Sequence, residues 1–313
     1  MMSFRLMVWI SLVIPALLMA ASIDVEKLFS HLPSDPEQLV FINEIPINNE
    51  GGHLQGIQPY YFKGEEYVFF SGSSSTFGYL AVAHGDEVRK LHRLMFKPFK
   101  HAGGFQIHRD WLAVGVEDND ARNASVVQIY KLGDPLSDLK EPVAVIERSG
   151  ERERATAGAV AIYQLEKALW VVVGDWSNRH MDFYKADISS IDGKIQFHKT
   201  GEVDMTNHSK DDWKDPVTRA FQNINLLRLK DQLYLVGLGG DENSNGNVID
   251  VFTVDDLSGS NPVLTKIYSR KFKEFPDTRF RWGAGVSFDG QDRLSLYSCG
   301  ENIRTTIAVS IYR

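Results

Sequence analysis

Hydrophobic positions in this chain come in short bursts that alternate with polar ones and stop at Gly, Asn or Asp. A period of two marks half-buried strands, because successive side chains on a strand leave opposite faces. Five stretches share one rhythm: small residues, an alternating run, a short polar turn, an apolar run ending in Gly or Ser, then a polar loop and further alternating runs. They begin at His53 (HLQGIQPYYFKGEEYVFFSGS), His101 (HAGGFQIHRDWLAVGVED), Thr156 (TAGAVAIYQLEKALWVVVGDW), Phe221 (FQNINLLRLKDQLYLVGLGGD) and Trp282 (WGAGVSFDGQDRLSLYSCGE), with starts 48, 55, 65 and 61 residues apart. In the second unit the pattern predicts strands over 104–108, 111–116, 125–132 and 142–147. The runs are rich in β-branched and aromatic residues, with turn formers between them. Only 24–32 has helical spacing, so the chain reads as all-β.

Four-stranded units repeated around an axis bury both faces of each sheet against their neighbours. The fifth unit has three predicted strands, 285–288, 293–298 and 305–312, while the strand-like segment 38–47 (QLVFINEIPI) stands unclaimed ahead of the first. One strand is missing and one is spare, so 38–47 is expected to complete the last sheet and leave no raw edge. The repeat resembles the β-propeller superfamily over residues 38–313, without a WD dipeptide or a kelch signature. The expected architecture is a five-bladed β-propeller of four-stranded antiparallel blades, its ring closed by strand 38–47. Six blades or a pair of β-sandwiches are the alternatives. Five-bladed members of the superfamily include sugar-binding lectins, glycoside hydrolases and calcium-dependent nucleotidases, and fold alone does not choose among them.

Arg5, the apolar run 6–20 and the small residues Ala20, Ala21 and Ser22 have the order of a secretory signal peptide. The run is shorter than the roughly 20 residues that span a bilayer. The expected organisation is therefore a signal peptide over 1–22, an N-terminal extension over 23–37, in which deleting 22–34 should be mild, and a propeller domain over 38–313, secreted or periplasmic. The chain holds 34 Lys+Arg against 41 Asp+Glu, a net charge of -7, with no basic run. That excludes a nucleic-acid clamp, which needs a concentrated basic face. Cys299 is the single cysteine, so no internal disulfide can form and the core must carry stability.

In a four-stranded meander the lead-in to strand one and the loop after strand two lie on the same face, around the central channel. That geometry gathers His53, Gln55, His101, Trp176, Arg179, Asn223, Arg281, Trp282 and Arg304 as candidate ligand-binding residues. Glu117, Asn178 and Gln222 share the face. Polar groups beside aromatic rings suit a small polar ligand: rings stack on apolar sugar or base faces and side chains fix the hydroxyls.

Four chemistries can be placed on that face. Asp118, Asp120, Asp175, Asp241 and Glu301 are the candidate catalytic carboxylates, since two of them across the funnel would serve as acid and base in glycoside cleavage. Asp241, Asn243 and Asn245 match the opening of a calcium loop with Gly246 at its bend, but Phe252 stands where the closing carboxylate belongs, and a hairpin turn at Asn245-Gly246 is the alternative. His53, His101 and His180 are candidates for a transition metal or proton transfer. The insertions 206–217 and 270–281 are expected to rim the funnel, and Arg270, Lys271, Lys273, Arg279 and Arg281, with Arg179 and Arg304 opposite, would favour an anion. The sequence thus predicts an exported propeller that binds a carbohydrate, an anionic small molecule or a partner protein on its funnel face. The alternative is a hydrolase of glycosidic or phosphoester bonds acting through funnel carboxylates, with Ca2+ as a possible aid.

Overall fold

The computed structural model describes residues 24–47, 52–189, 195–240, 246–257, 261–273, 275–289 and 293–313. Among them, one short helix, α1 (Val25–Ser30), and the strand β1 (Glu37–Ile42) precede a series of antiparallel meanders. The first is β2 (His53–Phe62), β3 (Glu65–Ser73), β4 (Phe77–His84) and β5 (Glu87–Phe96). The second is β6 (His101–His108), β7 (Trp111–Glu117), β8 (Ala124–Lys131) and β9 (Ala144–Ser149). The third is β10 (Ala159–Leu165), β11 (Ala168–Gly174), β12 (His180–Asp187) and β13 (His198–Asp204). The fourth is β14 (Phe221–Leu229), β15 (Gln232–Gly240), β16 (Asn247–Asp255) and β17 (Val263–Phe272). The last is β18 (Arg279–Phe288), β19 (Leu294–Cys299) and β20 (Thr306–Tyr312), and β1 pairs with β20 from Glu37↔Ile311 to Ile42↔Thr306.

Apolar clusters fill the spaces between consecutive sheets, each with a large buried ring: Phe105 between the first and second, Trp111 between the second and third, Phe183 between the third and fourth, Phe280 between the fourth and last, and Phe70 between the last and first. Burying a side chain of that size stabilises the fold by about 1.5–3 kcal/mol, and two-sided burial explains why the inner strands read as near-continuous apolar runs.

The innermost strands β2, β6, β10, β14 and β18 approach closely at one end and diverge beyond it. Single parallel bridges, Gly56↔Ala284 and Gly104↔Ala159, mark the close approach. Gly104 is required there, because a Cβ would stand 2.3 Å from the Gln222 carbonyl oxygen. Where the strands diverge they cannot form a ladder, and buried amides take over the orphaned backbone groups. The Gln106 side chain donates to Leu226 O (2.7 Å) and accepts from Leu226 N (2.9 Å) and Ile162 N (3.0 Å), tying three inner strands together. Asn223 donates to Gln55 O (2.8 Å), and Asn225 accepts from Val286 N (3.2 Å).

Three expectations are corrected. The strand expected over 38–47 ends at Ile42, where Asn43 turns the chain by bonding Ile45 O (3.0 Å) and Arg304 O (2.7 Å). The segment 23–37 is no loose extension: Phe29 is fully buried against the fourth and last sheets, and the Arg270 guanidinium donates to the carbonyls of Phe29, Ser30 and Leu32 at the end of α1. Arg270 thus caps a helix from the outer strand β17 instead of rimming a funnel. The insertion 206–217 packs over β16 and β17, with Trp213 against Phe252 and its indole N–H donating to Leu264 O (3.1 Å).

Candidate functional site

Where the inner strands converge, a cleft of about 550 Å³ opens on the channel mouth. Its walls are built from backbone irregularities. The ladder slips by one residue between Leu54 and Gly56 in β2, between Ala102 and Phe105 in β6, and between Phe221 and Asn223 in β14. A bulge leaves its extra residue unpaired and re-aims it. The residues so released, Gln55 and Gln222, reach across the mouth to each other, Gln222 Nε2 donating to Gln55 Oε1. His53 lies beside them with Nδ1 2.7 Å from Leu54 O, and burial lowers its pKa although that carbonyl pulls the other way.

Two fully or almost fully buried carboxyls line the cleft. Glu117, the last residue of β7, has no exposed surface; its Oε2 accepts from Ala157 N (2.9 Å), and its Oε1 lies 3.2 Å from His101 Nδ1. Asp175, just past β11, is 1% exposed; it accepts from His180 N (2.9 Å) and lies 2.8 Å from His180 Nδ1. Burial raises the Asp175 pKa, and the bonds and charge of His180 offset only part of that. A carboxyl whose pKa moves up in a cleft is suited to hold a proton for transfer.

The loop supplying the Ala157 amide is held from beneath. Arg148 reaches Asp182 Oδ2 (2.5 Å), Tyr184 OH (2.9 Å) and Thr156 O (3.2 Å), while Arg154 forks onto both oxygens of Asp182 at 2.6 and 2.7 Å. Burial on its own would raise Asp182, but Arg154, Arg148 and Lys199 hold it well below the usual carboxylate range. The same loop carries Glu153, which bonds Arg122 (3.2 Å) and Arg179 (3.1 Å), and Arg122 stacks 3.8 Å from the Trp176 ring. Trp176 therefore enters the cleft with one face already covered.

Of the predicted residues, His53, Gln55, His101, Asp175, Trp176 and Arg281 line the cleft. Asn223 is fully buried beneath it as a channel amide. Arg179 is held at the rim by Glu153, Trp282 lies under the Arg279 guanidinium at 4.9 Å, and Glu301 and Arg304 are exposed outside it. Asp118 accepts from Asp120 N and Ala121 N, both at 3.0 Å, and Asp120 pairs with Lys100 at 3.0 Å, so these two acids shape the loop. Asp241, Asn243 and Asn245 lie outside the described residues, and among the described ones no cluster of three His, Cys, Asp or Glu is placed to hold a metal. Nor is any helix there long and apolar enough to cross a membrane. Cys299 is fully buried and its thiol pKa is pushed up by burial, which suits packing.

Glu117 is the residue that sequence reasoning on carboxylates passed over in favour of Asp118. A regular hairpin turning at His108↔Trp111 would set His101 opposite Asp118; the slip at Gly103–Gly104 sets it opposite Glu117 instead. The paired glycines were the available signal, since Gly inside a strand often marks a bulge.

Neither a family model nor a curated protein matches the sequence. Solved structures do share its fold. The catalytic domain of the GH62 α-L-arabinofuranosidase from Coprinopsis cinerea superposes with a TM-score of 0.55 at 11% identity, over 90% of this chain and 98% of that one. An α-L-arabinofuranosidase from Podospora anserina, solved in complex with cellotriose, gives 0.51 at 9% identity, again over 90% and 98%. The chain shares an all-β fold with these two arabinofuranosidases.

Proposed function

We propose that the five sheets are the blades of one closed, exported propeller, and that its cleft holds a carbohydrate and cleaves a glycosidic bond. The observation that carries this reading is the pair of buried carboxyls, Glu117 and Asp175, lining one cleft beside Trp176. Asp175, with its pKa raised, is the proton donor to the leaving oxygen. Glu117, fixed through Oε2 by the Ala157 amide and with Oε1 3.2 Å from His101 Nδ1, is the second carboxyl of the pair. Gln55, Gln222 and Arg281 supply hydrogen bonds to hydroxyls, and the Trp176 ring supports an apolar sugar face. The arabinofuranosidases that share the fold make aryl arabinofuranosides the first substrates to try. A second reading, carbohydrate binding without turnover, is favoured by the engagement of both Asp175 oxygens with His180.

One experiment decides between them. Release of nitrophenol from nitrophenyl arabinofuranosides is followed alongside binding of arabino- and cello-oligosaccharides. Under the hydrolytic reading, Asp175→Asn and Glu117→Gln each lower kcat/KM by about 10²–10⁴-fold and leave binding within a few-fold. Binding by the wild type with no turnover establishes the second reading. No binding and no turnover refutes both.

A further inference from the structure

The channel has a second mouth. At the far ends of β2, β6, β14 and β18, on the side away from the cleft, lies a cavity of about 720 Å³ lined in part by Gln58, His108, Arg109, Tyr163, Asn225 and Arg228. Three of its polar side chains carry buried atoms left without a partner among the described residues. Gln58 and Asn225 are each 1% exposed, and the Gln58 Nε2 and Asn225 Nδ2 amino groups are buried without a hydrogen-bond partner among the described residues. His108 Nε2 is likewise buried and unpartnered, its ring held against Tyr163 with centroids 4.0 Å apart. The two amide NH2 groups are donors, and His108 Nε2 donates in its Nε2–H tautomer, so a ligand that accepts from them satisfies groups the fold leaves unmet.

Charge points the same way. The two acids at this mouth are occupied: Asp110 pairs with Lys131 at 2.7 Å and Asp289 with Arg293 at 2.6 Å. Arg109 makes no ion pair among the described residues, and Arg228 shares only the exposed Asp231 at 3.2 Å. Arg109 is held in the left-handed region, φ 56°, at the turn between β6 and β7, which fixes its place at the mouth.

We propose that this far mouth binds a small oxyanion, a carboxylate or a phosphate, whose oxygens accept from Gln58, Asn225 and His108 and whose charge is met by Arg109 and Arg228. A cation would face two guanidiniums. A neutral sugar hydroxyl could accept from the buried amides but brings no charge to the two guanidiniums, whereas an oxyanion meets both. The inference stands apart from the glycosidic reading, because the two mouths share no lining residue.

Calorimetric titration of the full chain with inorganic phosphate, and separately with malonate, tests it. The expected result is one equivalent of at least one anion bound. Arg109→Asn combined with Arg228→Gln, in which Asn tolerates the positive φ, weakens binding at least tenfold. Gln58→Leu weakens it several-fold and guards against a folding defect in the double variant, and Glu117→Gln at the other mouth leaves anion affinity unchanged. Malonate binding alone assigns the site to carboxylates and phosphate alone to phosphates. Failure of both anions to bind shows that the cavity holds only water and overturns the proposal. So does wild-type affinity in the double variant, or loss of binding in Glu117→Gln.

Discussion

His108 has its pKa pushed down to about 4, mainly by burial and further by Arg109, against a weaker pull from Asp110. An unfolded histidine titrates near 6.5, so between about 6.5 and about 4 the unfolded chain takes up a proton that the folded chain refuses. Stability is therefore intact above pH 6.5 and drains away as pH falls through that window. In buffer without phosphate or carboxylate, the wild-type melting temperature is expected to fall between pH 6.5 and 4, and the fall in His108→Gln to be smaller by several degrees. His53 and His92 are lowered by burial in the same direction, so a residual slope remains. Identical slopes in the two proteins would show that His108 is not the buried neutral group. Asp175 has the opposite sign: the folded state keeps a proton that the unfolded chain has lost, so stability falls as pH rises from the ordinary carboxyl pKa to the raised folded value.

Elements outside the repeat carry more than their sequence advertised. α1 is six residues long, far below the length that holds a helix in water, and its order comes from Phe29 and from the Arg270 cap. Phe29→Ala is expected to cost about 3–5 kcal/mol, read as a lower denaturant midpoint at unchanged m-value. A change below about 1 kcal/mol would mean the helix rests on the sheets without supporting them. The all-β class and the strand rhythm were legible because two-sided burial writes apolar runs and tight turns write Gly, Asn and Asp. The repeat starts at His53, His101 and Phe221 coincide with β2, β6 and β14. Side-chain direction near those starts was not legible. One bulged residue in β6 sets His101 opposite Glu117 instead of Asp118, and period-two counting is blind to such a slip. The spacing over 24–32 did show α1, but not what holds it, since the helix packs against and is capped by residues more than 200 positions away.

At the scale of the molecule, two devices hold the sheets as one body. Gln106 joins β6, β10 and β14 at the axis, so an inner strand cannot leave without stranding buried amide partners. At the periphery, six residue pairs between β1 and β20 join the two ends of the chain, and Phe41 closes the cluster that also holds Phe70, Ile307 and Val309. Removing β1 would bare the edge of β20 and open that cluster to water, a template for intermolecular pairing. Removing α1 alone would take away one buried face and leave the edge covered. Two truncations separate these effects. A chain starting at residue 35 is expected to melt cooperatively at a lower temperature and stay monomeric, whereas one starting at residue 44 is expected to lose the cooperative transition and aggregate. A chain starting at residue 44 that remains monomeric and melts like the one starting at 35 would show that the last sheet is complete without β1, and the closed five-bladed ring would have to be abandoned.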